Sequence, residues 1–123
     1  MKTLLLLFIT ISIQAPVTVV KNNGDQLGLS EVKIFQEDTN GSSTSINYSF
    51  RGEGRTVTFS EIKRISFKET IKKKKGVTTY RAILFRADNS KLEVEIDLVR
   101  LEGVSKSGKM ESMSFSSIDK ISF

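Results

Sequence analysis

Cysteine, histidine and tryptophan are all missing from this 123-residue chain, and proline occurs once. Without cysteine there can be no disulfide, no thiolate nucleophile, no thiolate metal site and no lipid-bearing thiol. Without histidine the usual general base near neutral pH and the commonest metal ligand are gone. What is present is ordinary for a globular chain, with 38% hydrophobic and 27% charged residues. Neither value fits a disordered or multi-span membrane protein. The length allows one domain or two very small ones. Eight Phe against two Tyr point to a core of Phe, Ile, Val and Leu. No catalytic, metal-binding or cofactor-binding signature stands out, so a non-enzymatic protein without cofactors is expected.

Residues 1–15 read as an address. Lys2 is followed by a mostly apolar run from Leu4 to Ile13 and then by Ala15. These are the three parts of a secretory signal peptide. The run is too short for a spanning helix, which needs about 20 residues. Cleavage after Ala15 would leave Pro16 next to the cut, which hinders signal peptidase; cleavage after Ser12, with Thr10 two residues earlier, also meets the small-residue rule. The chain is therefore expected to be exported, to a periplasmic or extracellular location. An exported chain without disulfides must be held by its core and sheet alone, which suits a bacterial envelope.

The rest reads as strands. Val17 to Val20 is β-branched and ends at the turn signal Asn22-Asn23-Gly24-Asp25. Val32 to Phe35 forms the next strand. Ile46, Tyr48 and Phe50 alternate with polar residues until Gly52 and Gly54 interrupt them, and Val57 and Phe59 then alternate in turn. In the second half, Lys73 to Gly76 and Ala87 to Lys91 are expected turns around a Tyr80–Phe85 strand. Leu92, Val94, Ile96 and Leu98 alternate with Glu93, Glu95 and Asp97, an amphipathic strand with a wet acidic face.

Two segments, Arg55–Phe67 and Glu111–Phe123, overlay without a gap on the pattern Phe-Ser-x-Ile-x-x-Ile-Ser-Phe. The expected organisation is all-β, with two tandem diverged units of about 50 residues. They would occupy 16–70 and 71–123, or merge into one compact domain, 16–123. In the shared pattern Phe59, Ile62, Ile65 and Phe67 point inward, Ser60 and Glu61 turn the chain, and Lys63 and Arg64 face water. A strand, one tight helical turn and a strand are similar to the closing element of small SH3-like barrels. Two such barrels, a single β-sandwich, or one ten-strand barrel shared by both halves all fit. By the same alignment Phe123 is expected to be buried.

Lys68, Lys72, Lys73, Lys74, Lys75 and Arg81 are expected around one hairpin tip. They would contact a polyanion, anionic lipid headgroups or lipopolysaccharide phosphates, or simply keep an edge hairpin from pairing with other chains. Nucleic acid is disfavoured, because no aromatic residues interleave with the lysines to stack on bases. Asp88-Asn89-Ser90 fits a hairpin turn better than a calcium loop. Asn40 and Asn47 are formal glycosylation acceptors that matter only in a eukaryotic secretory route. The expected function is an exported binding or structural module whose partner is a protein, a glycan or an anionic surface. The rival readings are a matrix component assembling by edge-strand pairing, a polyanion binder, and an inhibitor acting from the loop Glu37–Ser45.

Overall fold

The computed structural model describes residues 17–37 and 41–123. The expected signal peptide, both of its candidate cleavage points and Asn40 lie outside the described residues. Among the described residues ten strands follow one another: β1 (Val17–Lys21), β2 (Gln26–Phe35), β3 (Ser45–Phe50), β4 (Glu53–Thr58), β5 (Ile62–Lys74), β6 (Val77–Arg86), β7 (Lys91–Leu98), β8 (Arg100–Ser105), β9 (Met110–Met113) and β10 (Ile118–Ser122). Single 3-10 turns, Phe59–Glu61 and Phe115–Ser117, join β4 to β5 and β9 to β10. All ten strands form one antiparallel sheet in the order β4-β3-β7-β6-β5-β10-β1-β2-β8-β9.

Local sequence explains the registers. The β5–β6 and β3–β4 hairpins turn on Lys75-Gly76 and Arg51-Gly52, each pair with positive φ at both residues. That is the two-residue turn whose twist matches paired strands. It pins Lys74 opposite Val77 and Phe50 opposite Glu53. Lys72 to Lys74 therefore belong to β5, and the expected Lys73–Gly76 turn contracts to its last two residues. Strand β2 also begins earlier than expected, directly after the Asn22–Asp25 turn.

One pairing scheme occurs twice. β1 lies between β10 and β2, and β6 lies between β5 and β7. Val19 faces Ile121 and Leu27; Leu84 faces Ile65 and Leu92. A register shift follows in both places, between Val20 and Lys21 and between Ile62 and Arg64. The backbone N–H of Asn22 donates to Ser117 O, as that of Ala87 donates to Glu61 O. Further out, Ser30 pairs with Val104 and Glu95 with Ser49. The two sets meet where Ile65 of β5 pairs with Ile121 of β10, flanked by Arg64↔Ser122 and Ser66↔Lys120. Strands β1, β2 and β3 lie within 16–70 and β5 crosses its end at Lys74; each pairs with a strand from 71–123.

The sheet is open, which corrects the ten-strand barrel. Closure would require β4 to pair with β9, and these are the two edges. Only Val57 is buried on β4, and β9 has no buried residue, so joining them would bury little apolar surface. The two-sheet sandwich is likewise replaced by one continuous hydrogen-bonded sheet. The inward residues of the alternating strands form a single core that includes Val19, Leu29, Ile34, Ile46, Leu84, Ile96 and Leu101. Phe115 is buried, whereas Phe59 and Phe123 are half-buried and pack on each other with ring centroids 5.0 Å apart. Phe123 is thus less enclosed than expected, because its ring lies at the rim of an open groove. Arg64 does not simply face water: its guanidinium lies 4.1 Å from the centre of the Phe85 ring.

The two 3-10 turns are capped differently. Glu61 accepts from the backbone N–H and the hydroxyl of Thr58 at 3.2 and 2.9 Å. At the other turn Ser117 replaces Glu61, and the Ser114 hydroxyl accepts from the Ser116 N–H instead. The backbone and then the side-chain hydrogen bond of Thr58 hold the Glu61 carboxyl below its ordinary value of 4.5. A depressed carboxyl contributes stability above its unfolded pKa and loses it as pH falls through the folded pKa. Glu61→Gln is therefore expected to weaken the dependence of the thermal midpoint on pH below about 4.5. Identical acid melting profiles for both proteins would refute this role for the cap.

Candidate functional site

The basic hairpin separates into parts with different surroundings. Lys73, Lys74 and Lys75 sit at the exposed tip. Lys72, opposite Thr79, borders a polar depression with Glu37, Glu95 and Asp97. Lys68 lies at a register shift seven residues before Lys75, roughly 20 Å away along the strand. Arg81 is drawn into an acidic cluster, bound by Glu69 and lying 3.5 Å from Glu93. The structure therefore does not gather all six residues at one tip.

The carboxylates of β7 form the wet face expected of them. Glu93, Glu95 and Asp97 are exposed, and Asp97 accepts from the Thr79 hydroxyl. Asp88-Asn89-Ser90 makes a hairpin turn, with Asn89 at φ 72°. The Ser90 hydroxyl and backbone N–H hold the Asp88 carboxyl below its ordinary value. Asn47 is exposed, and its side-chain oxygen accepts from the Thr56 hydroxyl at 2.7 Å. Among the described residues, no group of three or more acidic side chains is placed to hold a metal ion.

Among the described residues, a largely apolar groove of about 610 Å³ lies where the start of β1, the middle of β2 and the Phe59–Glu61 turn converge. Its floor and walls are Val17, Leu29, Val32, Phe59, Ile62 and Phe123, and Glu31, Thr44, Thr58 and Ser60 lie along it. Two structural facts hold it open. Gly103, buried in β8, lies so close behind that an added Cβ would be 3.0 Å from Leu29 and 3.2 Å from Val32. The turn places Phe59 beside Phe123 rather than fully inside the core. No family model, curated protein or solved structure matches the chain.

Sequence reasoning missed the groove. Val17, Leu29 and Val32 each read as ordinary inward strand positions, and the alternation pattern does not say where a neighbouring strand ends.

Proposed function

We propose that this protein is an exported, non-enzymatic binding module of the cell envelope or extracellular space, and that the groove beside Phe59 holds its partner. The observation carrying this reading is the groove itself. Small-molecule and peptide sites are concave and mostly apolar with a few polar groups at the rim, and this concavity has that composition. Export rests on Lys2, the Leu4–Ile13 run and the small residues at Ser12 and Ala15. The two sets of five strands, β5-β6-β7-β3-β4 and β10-β1-β2-β8-β9, each include a strand joined to the next by a 3-10 turn. We read them as two SH3-like halves derived from one duplicated unit, with their strands exchanged.

A photoreactive residue at Thr44, on the groove rim, tests the site in the exported protein within its native envelope. Adducts at Thr44 that are absent from the same probe at Asn89 would support the groove. Equal labelling at both positions, or none, would sink it.

A second reading rests on the exposed Lys73–Lys75 tip, which could touch anionic lipid or polysaccharide. Heparin retention is expected to fall when Lys72 to Lys75 are changed to Ser, if the tip is the contact. Retention unchanged by that substitution would remove the polyanion reading.

A further inference from the structure

The β5–β6 hairpin runs on past its neighbours. Strand β10 pairs with β5 only from Arg64 to Ser66, and β7 accompanies β6 no farther than Thr78↔Leu98. Lys72, Lys73 and Lys74 continue opposite Thr79, Thr78 and Val77, so the last pair and the Lys75-Gly76 turn stand beyond both ladders. The charge of this ribbon has one sign. From Lys68 to Arg81 its one acid is Glu69, and the Arg81 guanidinium holds that carboxylate. Among the described residues, none of Lys73, Lys74 and Lys75 has a carboxylate partner.

The ribbon also carries an apolar residue out of its usual place. Register shifts interrupt β5 between Phe67 and Glu69 and again between Thr70 and Lys72. The first sets Thr70, not Glu69, opposite the buried Tyr80. The second leaves Ile71 outside the ladder and 39% exposed, directly before the lysine run. Among the described residues, Ile71 and Met110 are the large apolar side chains left exposed. Lysines by themselves serve to keep a strand edge from pairing with other chains. An exposed isoleucine among them works against that purpose and calls for another explanation.

Building on the second of the two functional readings, we infer that this ribbon docks on an anionic lipid bilayer. Lys73 to Lys75 lie among the headgroups, and Ile71 reaches the acyl boundary beneath them. A polysaccharide would satisfy the lysines but offers Ile71 no apolar medium. A bilayer interface supplies both, with a negative surface potential above hydrocarbon. Ile71 lies four residues before Lys75, roughly 13 Å along the strand. The ribbon therefore lies along the membrane surface and does not enter it tip-first. Lysine stems can cover apolar surface while their ammonium groups stay at headgroup level.

The test mixes the exported protein, with the N-terminus the producing cell leaves, with vesicles and reads the bound fraction by flotation. Binding is expected to phosphatidylcholine vesicles that contain phosphatidylglycerol, and not to phosphatidylcholine alone. Lys73→Ser with Lys74→Ser should lower the partition coefficient about tenfold or more at low salt. Lys63→Ser with Lys91→Ser removes the same charge from exposed positions at the far ends of β5 and β7, and should leave binding in place. Ile71→Ser should lower partition about fivefold, while heparin retention and the urea midpoint stay as in the parent. Ile71→Gln is the second variant if serine loosens the bulge. The chain has no tryptophan, so Ile71→Trp gives a clean probe. Its emission should shift to the blue on the anionic vesicles and be quenched by brominated acyl chains.

Four results would overturn the inference. They are no binding to the anionic vesicles, equal binding of parent and Ile71→Ser, an indole that brominated chains leave unquenched, and equal losses from the two lysine pairs. Heparin retention that depends on Lys72 to Lys75, without vesicle binding, would overturn the bilayer and leave the polyanion reading standing with a polysaccharide.

Discussion

Changing Ile121 to Ala is expected to cost about 2–5 kcal/mol of folding stability, and changing Ile65 to Ala about the same. Both side chains are enclosed, at 0% and 1% exposure. They face each other across the β5–β10 ladder that unites the two halves of the sheet. Each deletes three buried carbons and leaves a cavity between neighbours that the continuous backbone ladder holds apart. Because the flanking pairs are related in the same way, the two costs should agree to within the error of a urea titration. The double variant should deviate from additivity, since contacting residues share the cavity. A loss below about 1 kcal/mol at either position would show that the join is not a close-packed part of the core.

The second large effect is expected at Gln36, a polar residue only 6% exposed. Strands β3 and β7 share a single ladder pair, Ser49↔Glu95. Farther along, the Gln36 side chain stands in for the missing ladder. Its Nε2 donates to Asn47 O at 2.7 Å and to Asp97 O at 3.0 Å, while its Oε1 accepts from the Asn47 N–H at 2.9 Å. Gln36→Ala would leave one donor and two acceptors short of a partner, and is expected to cost about 2–4 kcal/mol. The Asn47 amide should also lose protection in hydrogen exchange. Gln36→Glu separates shape from bonding: it keeps an acceptor for Asn47 but aims a carboxylate at two carbonyls. The folded state then favours the protonated form, so the folded pKa lies above the unfolded one. The Glu variant should accordingly regain stability as pH falls towards about 4 and lose it as pH rises. A flat difference from the parent across that range would contradict the arrangement.

Much of the strand content was legible because alternation reports directly on which face a residue shows. Val94, Ile96 and Leu98 are buried as their spacing requires, and Ile62, Ile65, Ile118 and Ile121 occupy the inward positions shared by the two closing segments. Partner choice was not legible. Alternation fixes a face, not a neighbour, so nothing in Ile65 announced that it would pair with Ile121. Nothing in the sequence marks Gln36, because its role depends on where β3 and β7 diverge. Arg64 read as a solvent-facing cation because charge alone does not reveal an aromatic ring on the next strand. The groove was hidden for a related reason: it forms where β1, β2 and the Phe59–Glu61 turn converge, a property of several elements together rather than of any one stretch of sequence.

The strand order also bears on when this chain can become a folded object. Residues 45–98 hold β3 to β7, one half of the sheet in a single stretch. The other half needs β1 and β2 from near one end and β8 to β10 from near the other. Such distant partners make long loops that must close before their contacts are rewarded, and topologies of this kind fold slowly. Until β8 and β10 arrive, Leu29 lacks its partner Ser105 and Val19 its partner Ile121. For a protein that leaves the cell as proposed here, that delay has a use: a nascent chain unable to finish its sheet stays threadable, and the tertiary structure locks only on the far side of the membrane.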